Sequence, residues 1–371
     1  MQEAELPALA AQVLWAVFVL AAAFGAIAQR THFCTMGAVA DVVNMGDTSR
    51  ARMWAMAIGV AMIGFNGMVG VGLIDADKSI YTAPKLIWLS NLVGGLMFGF
   101  GMVLASGCGS KTLVRIGGGS LKSLVVFALL GIAAYATMRG LFGVWRVATL
   151  DTVAITFATG QDLPSLLAPA LGMSRAGLAL ALGCGLGGAL VLWALSRAEG
   201  RSSDVVIAGA GIGLVIVAVW WVSGVLGHVP EHPVTLEEAF LASSSQRMES
   251  LTFVAPIAYS IDWLILFSDQ SRVLTIAIVS TLGVIAGSAI VALATRSFRW
   301  EGFGGTEDTA NHLVGAVLMG AGGITAMGCT VGQGLSGVST LALGSFIALA
   351  AIIAGAVLAL KYQIWRLDRL G

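Results

Sequence analysis

Long apolar runs alternate with short polar stretches along most of this 371-residue chain. Nine of these runs approach or reach the roughly 20 residues that an α-helix needs to cross about 30 Å of hydrocarbon. They cover approximately residues 11–28, 53–74, 86–106, 121–143, 172–196, 204–227, 272–295, 312–327 and 340–361. The pattern predicts an all-α polytopic membrane protein with about nine transmembrane helices. The eighth run is short enough to be a half-helix that ends inside the bilayer.

The composition excludes a soluble globular domain and leaves the lipid bilayer as the surroundings of the chain. Hydrophobic residues make up 57% of it and charged residues 11%, with a mean hydropathy of +0.90, whereas soluble domains carry about a quarter charged residues. The formal net charge is zero, so we expect no nucleic-acid partner. The cysteines form no C-x-x-C pair, and we expect neither a metal nor another cofactor.

The distribution of basic residues predicts how the chain is oriented. Of the 20 lysines and arginines, thirteen fall on the side of the C-terminus, which ends in the basic stretch "KYQIWRLDRLG". The other seven fall on the opposite side, and they are Lys78, Lys85, Arg139, Arg146, Arg175, Arg247 and Arg272. Because cytoplasmic loops are enriched in Lys and Arg, we expect the N-terminus outside and the C-terminus in the cytoplasm.

Two stretches of the chain repeat the same pattern without gaps. "LVGGLMFGFGMVLASGCGS" (92–110) aligns with "LVGAVLMGAGGITAMGCTV" (313–331), and each ends in a Gly-Cys loop. In the predicted topology the first runs inward and the second outward, which is an inverted-topology repeat of the kind found in many transporters. We therefore expect a single transmembrane transporter domain over 1–371, with halves at about 1–145 and 170–371.

The Gly-Cys loops at Cys108 and Cys329 are candidates for an anion site. Irregular backbone at membrane depth persists only where it is buried in protein or lines a cavity, so the loops are predicted to be re-entrant. The helix start after each loop offers free N–H groups and a positive dipole end. A thiol is soft and polarizable, which suits a sulfur-bearing anion. The alternative is that these cysteines are small apolar residues that help helices pack.

Four more residues qualify as supporting groups, and two further cysteines need an interpretation. Arg30, Lys111 and Arg115 are cations that could hold an anion or merely fix the orientation. The amide of Gln333 could donate to an anion without a buried charge. Cys34 follows the end of the first helix in "AQRTHFCTMGAVADVV" (28–43) and is a third candidate thiol. Cys184, in "ALGCGLGGAL", is interpreted as a packing residue within a small-residue helix surface.

The three motifs around these thiols resemble the YeeE/YedE family of sulfur-compound transporters. The matching stretches are "QRTHFC", "SGCGSKTLVRIGGGS" and "MGCTVGQGLSG", together with "ATRSFRW" (294–300). The resemblance covers nearly the whole chain. It departs from the family's usual Gly-Gly-Cys at Ser106 and at Met327, and the loop after Cys108 carries Lys111 and three glycines, 117–119. These departures alter the shape and charge of the central cavity.

The resemblance implies a thiosulfate permease of the bacterial inner membrane with an hourglass of helices and loops that dip to a narrow centre. In this family three cysteines are thought to pass thiosulfate along by S–H···S contacts, which would be Cys34, Cys108 and Cys329 here. Arg115 and Gln333 fall on family positions with a basic residue and an amide. Members are often linked to a TusA-type cytoplasmic sulfurtransferase, and others to different sulfur species or selenium compounds.

We therefore expect a permease, and no enzyme activity, with thiosulfate or a related sulfur anion passing a cysteine-lined constriction. Three alternatives remain open at this point. The chain could be a membrane thiol or sulfur-transfer enzyme that uses the same cysteines as nucleophiles. It could import another sulfur or selenium species. It could also be a structural subunit whose cysteines only pack. No membrane-embedded acid stands out as a proton or sodium site.

Overall fold

The structure, a computed structural model, describes residues 5–269 and 271–370 and is dominated by α-helices. The helices are α1 Leu6–Thr31, α2 Thr35–Met45, α3 Ser49–Gly70, α4 Trp88–Leu104, α5 Gly109–Gly117, α6 Leu121–Arg139, α7 Leu141–Ala148, α8 Leu163–Leu171, α9 Arg175–Leu195, α10 Ser203–Trp221, α11 Ala255–Ile265, α12 Ile276–Ala294, α13 Thr306–Thr325 and α14 Leu343–Leu370. Two segments are π-helical: Val222–Leu226 extends α10, and Gly332–Gly337 lies before α14. Four two-residue strands pair as small antiparallel ribbons, β1 Lys85–Leu86 with β2 Ile155–Thr156 and β3 His228–Val229 with β4 Ala239–Phe240.

Each of the nine predicted apolar runs coincides with a long helix, so the all-α polytopic membrane fold is confirmed. Within the described ranges, eight helical spans are long and apolar enough to cross a membrane. The long helix outside that set is α13, whose polar first turn contains Glu307 and Asp308. It has 20 residues and begins six residues before the predicted run, so it is not a half-helix. The short helices α2, α5, α7, α8 and α11 were not predicted.

Helices α4 and α13 pack against each other in antiparallel directions through glycines. A Cβ atom placed on Gly94 would lie 2.4 Å from the backbone N of Ala326, and one on Gly101 would lie 2.7 Å from the carbonyl O of Gly315. The residue numbers of the contacting positions therefore fall along α13 as they rise along α4, which shows that the two helices are antiparallel. Two backbones approach this closely only where small residues line both helices. The two repeated Gly-Cys stretches consequently run in opposite directions, as an inverted repeat requires.

The packing of the longer helices follows the same symmetry. Helix α1 packs on α12 as α10 packs on α3, and α4 packs on α14 as α13 packs on α6. Close backbone contacts in these four pairs occur at Gly25 with Val284, Gly213 with Ala57, Gly99 with Ile352, and Gly320 with Leu130. These four pairs are preserved when each helix is exchanged for its counterpart, α1 with α10, α3 with α12, α4 with α13, and α6 with α14. Helix α9 packs on the outer side of α3.

Charged residues collect at the two ends of this bundle. Every ion pair described joins residues that the predicted topology places on one side of the membrane. On one side the pairs include Lys78 with Glu238, Arg175 with Asp162, and Arg272 with Asp262. On the other they include Arg50 with Asp41, Lys122 with Glu301, and Arg366 with Glu307. The molecule therefore has two polar faces with an apolar belt between them.

Candidate functional site

Helices α4 and α13 end in the same way, one turn before a cysteine. Ser106 and Met327 adopt left-handed backbone conformations, with φ of 55° and 58°. The next N–H, of Gly107 or Gly328, then donates to a carbonyl five residues back at 2.8 Å in each case. This arrangement satisfies the last carbonyls of a helix. It also turns the chain sharply, so that Cys108 and Cys329 each stand at the start of a new short helix.

Three cysteines each stand immediately before a short helix. Cys34 precedes α2, and its Sγ accepts the N–H of Gly37 at 3.5 Å. Cys329 precedes a short helical segment, and its Sγ accepts the N–H of Gly332 at 3.4 Å. Cys108 precedes α5, and its Sγ lies 3.2 Å from Ser110 Oγ. All three thiols are buried. Each therefore lies beside the positive end of a helix, where backbone N–H groups favour an anion.

Cys108 is the thiol that lies near both of the others. It is within electrostatic range of Cys34 and also of Cys329. Cys34 interacts in addition with Lys111 and Arg115. The fold thus brings together the three cysteines and two of the three predicted cations.

Lys111 and Arg115 lie on α5, one and two turns after Cys108, and both are half-buried. A Cβ placed on Gly107 would lie 3.1 Å from Lys111 Cγ and 3.8 Å from Arg115 Nη1, so both side chains extend along the backbone just before Cys108. Arg50 lies within electrostatic range of Lys111. Arg30 is exposed at the end of α1, and its role as a cation that holds an anion or fixes the orientation stays a prediction.

Gln333 lies behind the Cys329 loop and holds it in place. Its Nε2 donates to the carbonyl O of Ala326 at 2.6 Å, and its own backbone N–H donates to Cys329 O at 2.7 Å. Its Oε1 is buried and has no partner within the described ranges. One donor of this amide is thus used by the backbone of the break, and the expected contact of Gln333 with an anion stays a prediction.

Thr252, Phe253 and Tyr81 belong to the site but were not singled out in the sequence. Thr252 Oγ1 lies 3.9 Å from Cys329 Sγ. The Phe253 ring packs on Phe24 at a centroid distance of 5.4 Å, and its carbonyl faces Gly109 beside Cys108. Tyr81 is buried next to Gly332, and its hydroxyl has no hydrogen-bond partner among the described residues. For Thr252 and Phe253 the available signal was the switch from polar to apolar residues within "SSSQRMESLTFVAP" (243–256).

A cavity of about 500 Å³ leads to the Cys329 loop, and we call it the Cys329 cavity. Thr252, Met327 and Gly328 line it beside the Cys329 loop. Arg247, Glu249 and Tyr259 line it as well, and the rest of its wall is Ile80, Ala83, Met138, Ser244, Ser245, Ser250, Ala255, Pro256, Ile276, Ala277, Ser280, Gly323 and Ile324. The cavity therefore borders the loop that carries the Cys329 thiol.

Cys184 is remote from this set and is exposed on α9. Two nearby glycines of α9 pack inward, Gly183 against Asn66 and Gly187 against Gly59. The small-residue surface is thus real, but the thiol points away from it. The interpretation of Cys184 as a packing residue is wrong in this respect.

Known proteins match this chain over almost its whole length. A protein-family model described as Sulphur transport matches residues 30–358. The thiosulfate transporter TsuA of Spirochaeta thermophila is 25% identical over 358 residues, which cover 91% of this chain and 94% of that protein. TsuA of Escherichia coli is 25% identical over 362 residues, with 91% of each chain covered. The probable transporter YedE of Escherichia coli is 32% identical over 94 residues, 25% of this chain.

Proposed function

The chain belongs to the sulphur transport family, and we propose that it is a permease that takes up thiosulfate, or a closely related sulfur anion, across the bacterial inner membrane. The observation that carries this proposal is the group of three buried thiols, each at the start of a short helix, with Cys108 near the other two. The names of the two TsuA relatives, similar over nearly their whole length, support thiosulfate as the substrate.

The proposed path runs from Cys329 to Cys108 and then to Cys34. We orient the molecule with the N-terminus outside and the C-terminus in the cytoplasm, so that the Cys329 cavity opens outward. Lys111 and Arg115 then lie on the cytoplasmic side of Cys108, where they attract the anion and hold it near Cys34. Arg30, exposed at that end of α1, contributes only general positive charge.

The proposed mechanism is facilitated passage through weak contacts in series. Burying a bare dianion would cost many kcal/mol. Backbone N–H groups at three helix starts and two cations offset part of that cost. Each thiol makes a weak contact with the soft sulfur end, so that the ion binds well enough to enter and loosely enough to leave. No thiol forms a covalent bond, and Gln333 acts by holding the Cys329 loop.

We further propose that the chain works as a single transporter domain of two halves, at about 1–145 and 170–371. A TusA-type cytoplasmic sulfurtransferase is the proposed recipient. The cations Arg50, Lys111 and Arg115 gather on the proposed cytoplasmic side, where an acceptor would receive the anion.

The experiment is growth on thiosulfate as the only sulfur source, in cells that lack their own sulfate and thiosulfate uptake. The wild type is compared with Cys329→Ala and Cys184→Ala, with the amount of each protein in the membrane measured. We expect growth with the wild type and with Cys184→Ala, and none with Cys329→Ala. Failure of a well-expressed wild type to support growth would exclude thiosulfate. Normal growth of Cys329→Ala would exclude the path through that thiol.

A further inference from the structure

One acid lines the Cys329 cavity within the described parts of the chain, and it is Glu249. Its side chain is buried, with 8% of the residue exposed. Glu249 stands three residues before Thr252, the residue whose hydroxyl contacts the Cys329 thiol. A buried carboxyl group therefore lines the same cavity as the loop that carries the Cys329 thiol.

The contacts of this carboxyl group are neutral. The N–H of Ser244 donates to Glu249 Oε1 at 3.2 Å, and the hydroxyl of Ser245 donates to Oε2 at 3.0 Å. Arg247 lies two residues away, but its guanidinium donates to the carbonyls of Asp77 and Ser79, at 3.4 Å each. No ion pair between Glu249 and a Lys, Arg or His side chain is found in residues 5–269 and 271–370.

Burial without a cation favours the neutral form of a carboxyl group. The pKa of Glu249 is accordingly raised to about 7 by loss of hydration, and the hydrogen bonds from Ser244 and Ser245 act in the opposite direction. Below about pH 7 the Glu249 carboxyl group is therefore mostly neutral, and above about pH 7 it is mostly an anion.

Other titratable groups surround Glu249 on several elements. Tyr81, between α3 and α4, and Tyr259, on α11, lie within electrostatic range of it, and burial raises the pKa of both phenols, so they stay neutral near pH 7. Arg247 adds a guanidinium group to the same cavity wall. Arg139 and Asp262 line an adjacent cavity that shares Ser244 and Tyr259. Glu249 is thus the group on this wall whose charge changes near pH 7.

We infer that Glu249 is a specificity-determining residue that admits dianions only when it carries a proton. The neutral carboxyl donates its O–H to an oxygen of the incoming anion. The carboxylate repels the same anion, because two like charges meet in a poorly hydrated cavity. This inference rests on the proposed function, since it takes a dianion such as thiosulfate as the transported ion.

The test uses the full-length protein in proteoliposomes, with radiolabelled thiosulfate outside and the external pH varied from about 5.5 to 8.5 around the expected titration. The wild-type rate should be high at acidic pH and fall about tenfold or more above pH 7, as the carboxylate forms. Glu249→Gln, which is always neutral, should keep the high rate across the range. Glu231→Gln, which neutralises an exposed acid, should keep the wild-type profile.

Two further measurements separate the possible outcomes. Ser245→Ala removes a hydrogen bond that stabilises the carboxylate, so the fall in rate should shift to higher pH. Infrared difference spectra of the purified protein between low and high pH should contain a neutral-carboxyl band that Glu249→Gln loses.

A wild type without thiosulfate uptake at any pH refutes the proposed function, while the infrared band still decides whether Glu249 titrates. The inference is overturned if Glu249→Gln keeps the pH dependence, or if the band is missing from the wild type.

Discussion

Ser106 and Met327 occupy equivalent positions in two antiparallel helices, and both adopt the left-handed backbone conformation, with φ of 55° and 58°. Each sits two residues before a buried cysteine. A left-handed non-glycine residue costs about 1–2 kcal/mol, and this chain accepts that cost twice at matching places. The shared conformation indicates that the shape of the break is needed at both thiols.

We predict that the two positions respond to substitution in parallel. Ser106→Gly and Met327→Gly should fold and retain uptake, since glycine adopts this conformation without strain. Ser106→Val and Met327→Val should lower the free energy of unfolding by about 1–3 kcal/mol, because a β-branched residue fits it poorly. Thermal unfolding in detergent measures the difference. Equal stability of the Gly and Val variants would show that the left-handed turn is not required.

Glycine packing between helices gives a second prediction. A Cβ on Gly99 would lie 2.0 Å from the carbonyl O of Ile352, whereas nothing lies within 4 Å of one on Gly185. Gly99→Ala should therefore destabilise the protein by about 1–3 kcal/mol or prevent folding, because α4 and α14 must separate. Gly185→Ala should leave the unfolding temperature unchanged or slightly higher. A Gly99→Ala variant as stable as the wild type would contradict the close contact.

Gln333 should act through the position of the Cys329 loop. Gln333→Leu removes the donor to the Ala326 carbonyl, which costs about 1–3 kcal/mol when a buried acceptor is left unpaired. Gln333→Glu places a carboxylate against that carbonyl and should be at least as harmful. We expect lower thermal stability and reduced uptake from both. Gln12→Leu, at an exposed position on α1, serves as the control. Loss of uptake at unchanged stability would instead indicate direct contact with the anion.

The cations should differ in importance according to where they lie. Lys111→Gln should lower the initial rate of thiosulfate uptake about tenfold, the effect of roughly 1.4 kcal/mol of lost attraction to a dianion. Lys111→Arg should retain most of the rate, since the charge is kept. Arg30→Gln should stay within about twofold of the wild type. A larger loss at Arg30 than at Lys111 would mean that the path does not pass α5.

The long helices and the repeat could be predicted because they depend on local composition. Runs of apolar residues specify membrane helices, and the matched Gly-Cys stretches correctly indicated an antiparallel pair. The burial of Cys108 and Cys329 followed from the same pattern, whereas the burial of Cys34 was not predicted. The polar first turn of α13 concealed the true length of that helix.

Features that depend on contacts distant in sequence could not be predicted. Glu249 is buried because its loop packs on the end of α10, where Ser223 exchanges hydrogen bonds with its backbone. Nothing near residue 249 in the sequence indicates this. The exposure of Cys184 depends on which face of α9 meets α3. The role of Gln333 depends on a local feature of a different kind, the irregular backbone of the break, which brings the carbonyl of Ala326 to its amide.

The close packing of α4 against α13 has a consequence for the distance between Cys108 and Cys329. Because Gly94, Gly101, Gly315 and Gly322 bring the two backbones together, main-chain geometry rather than side-chain size sets how far apart the two breaks lie. A side chain at any of these glycines would push the two helices apart and change that spacing. The four glycines therefore act as a fixed spacer between the two breaks that carry the thiols.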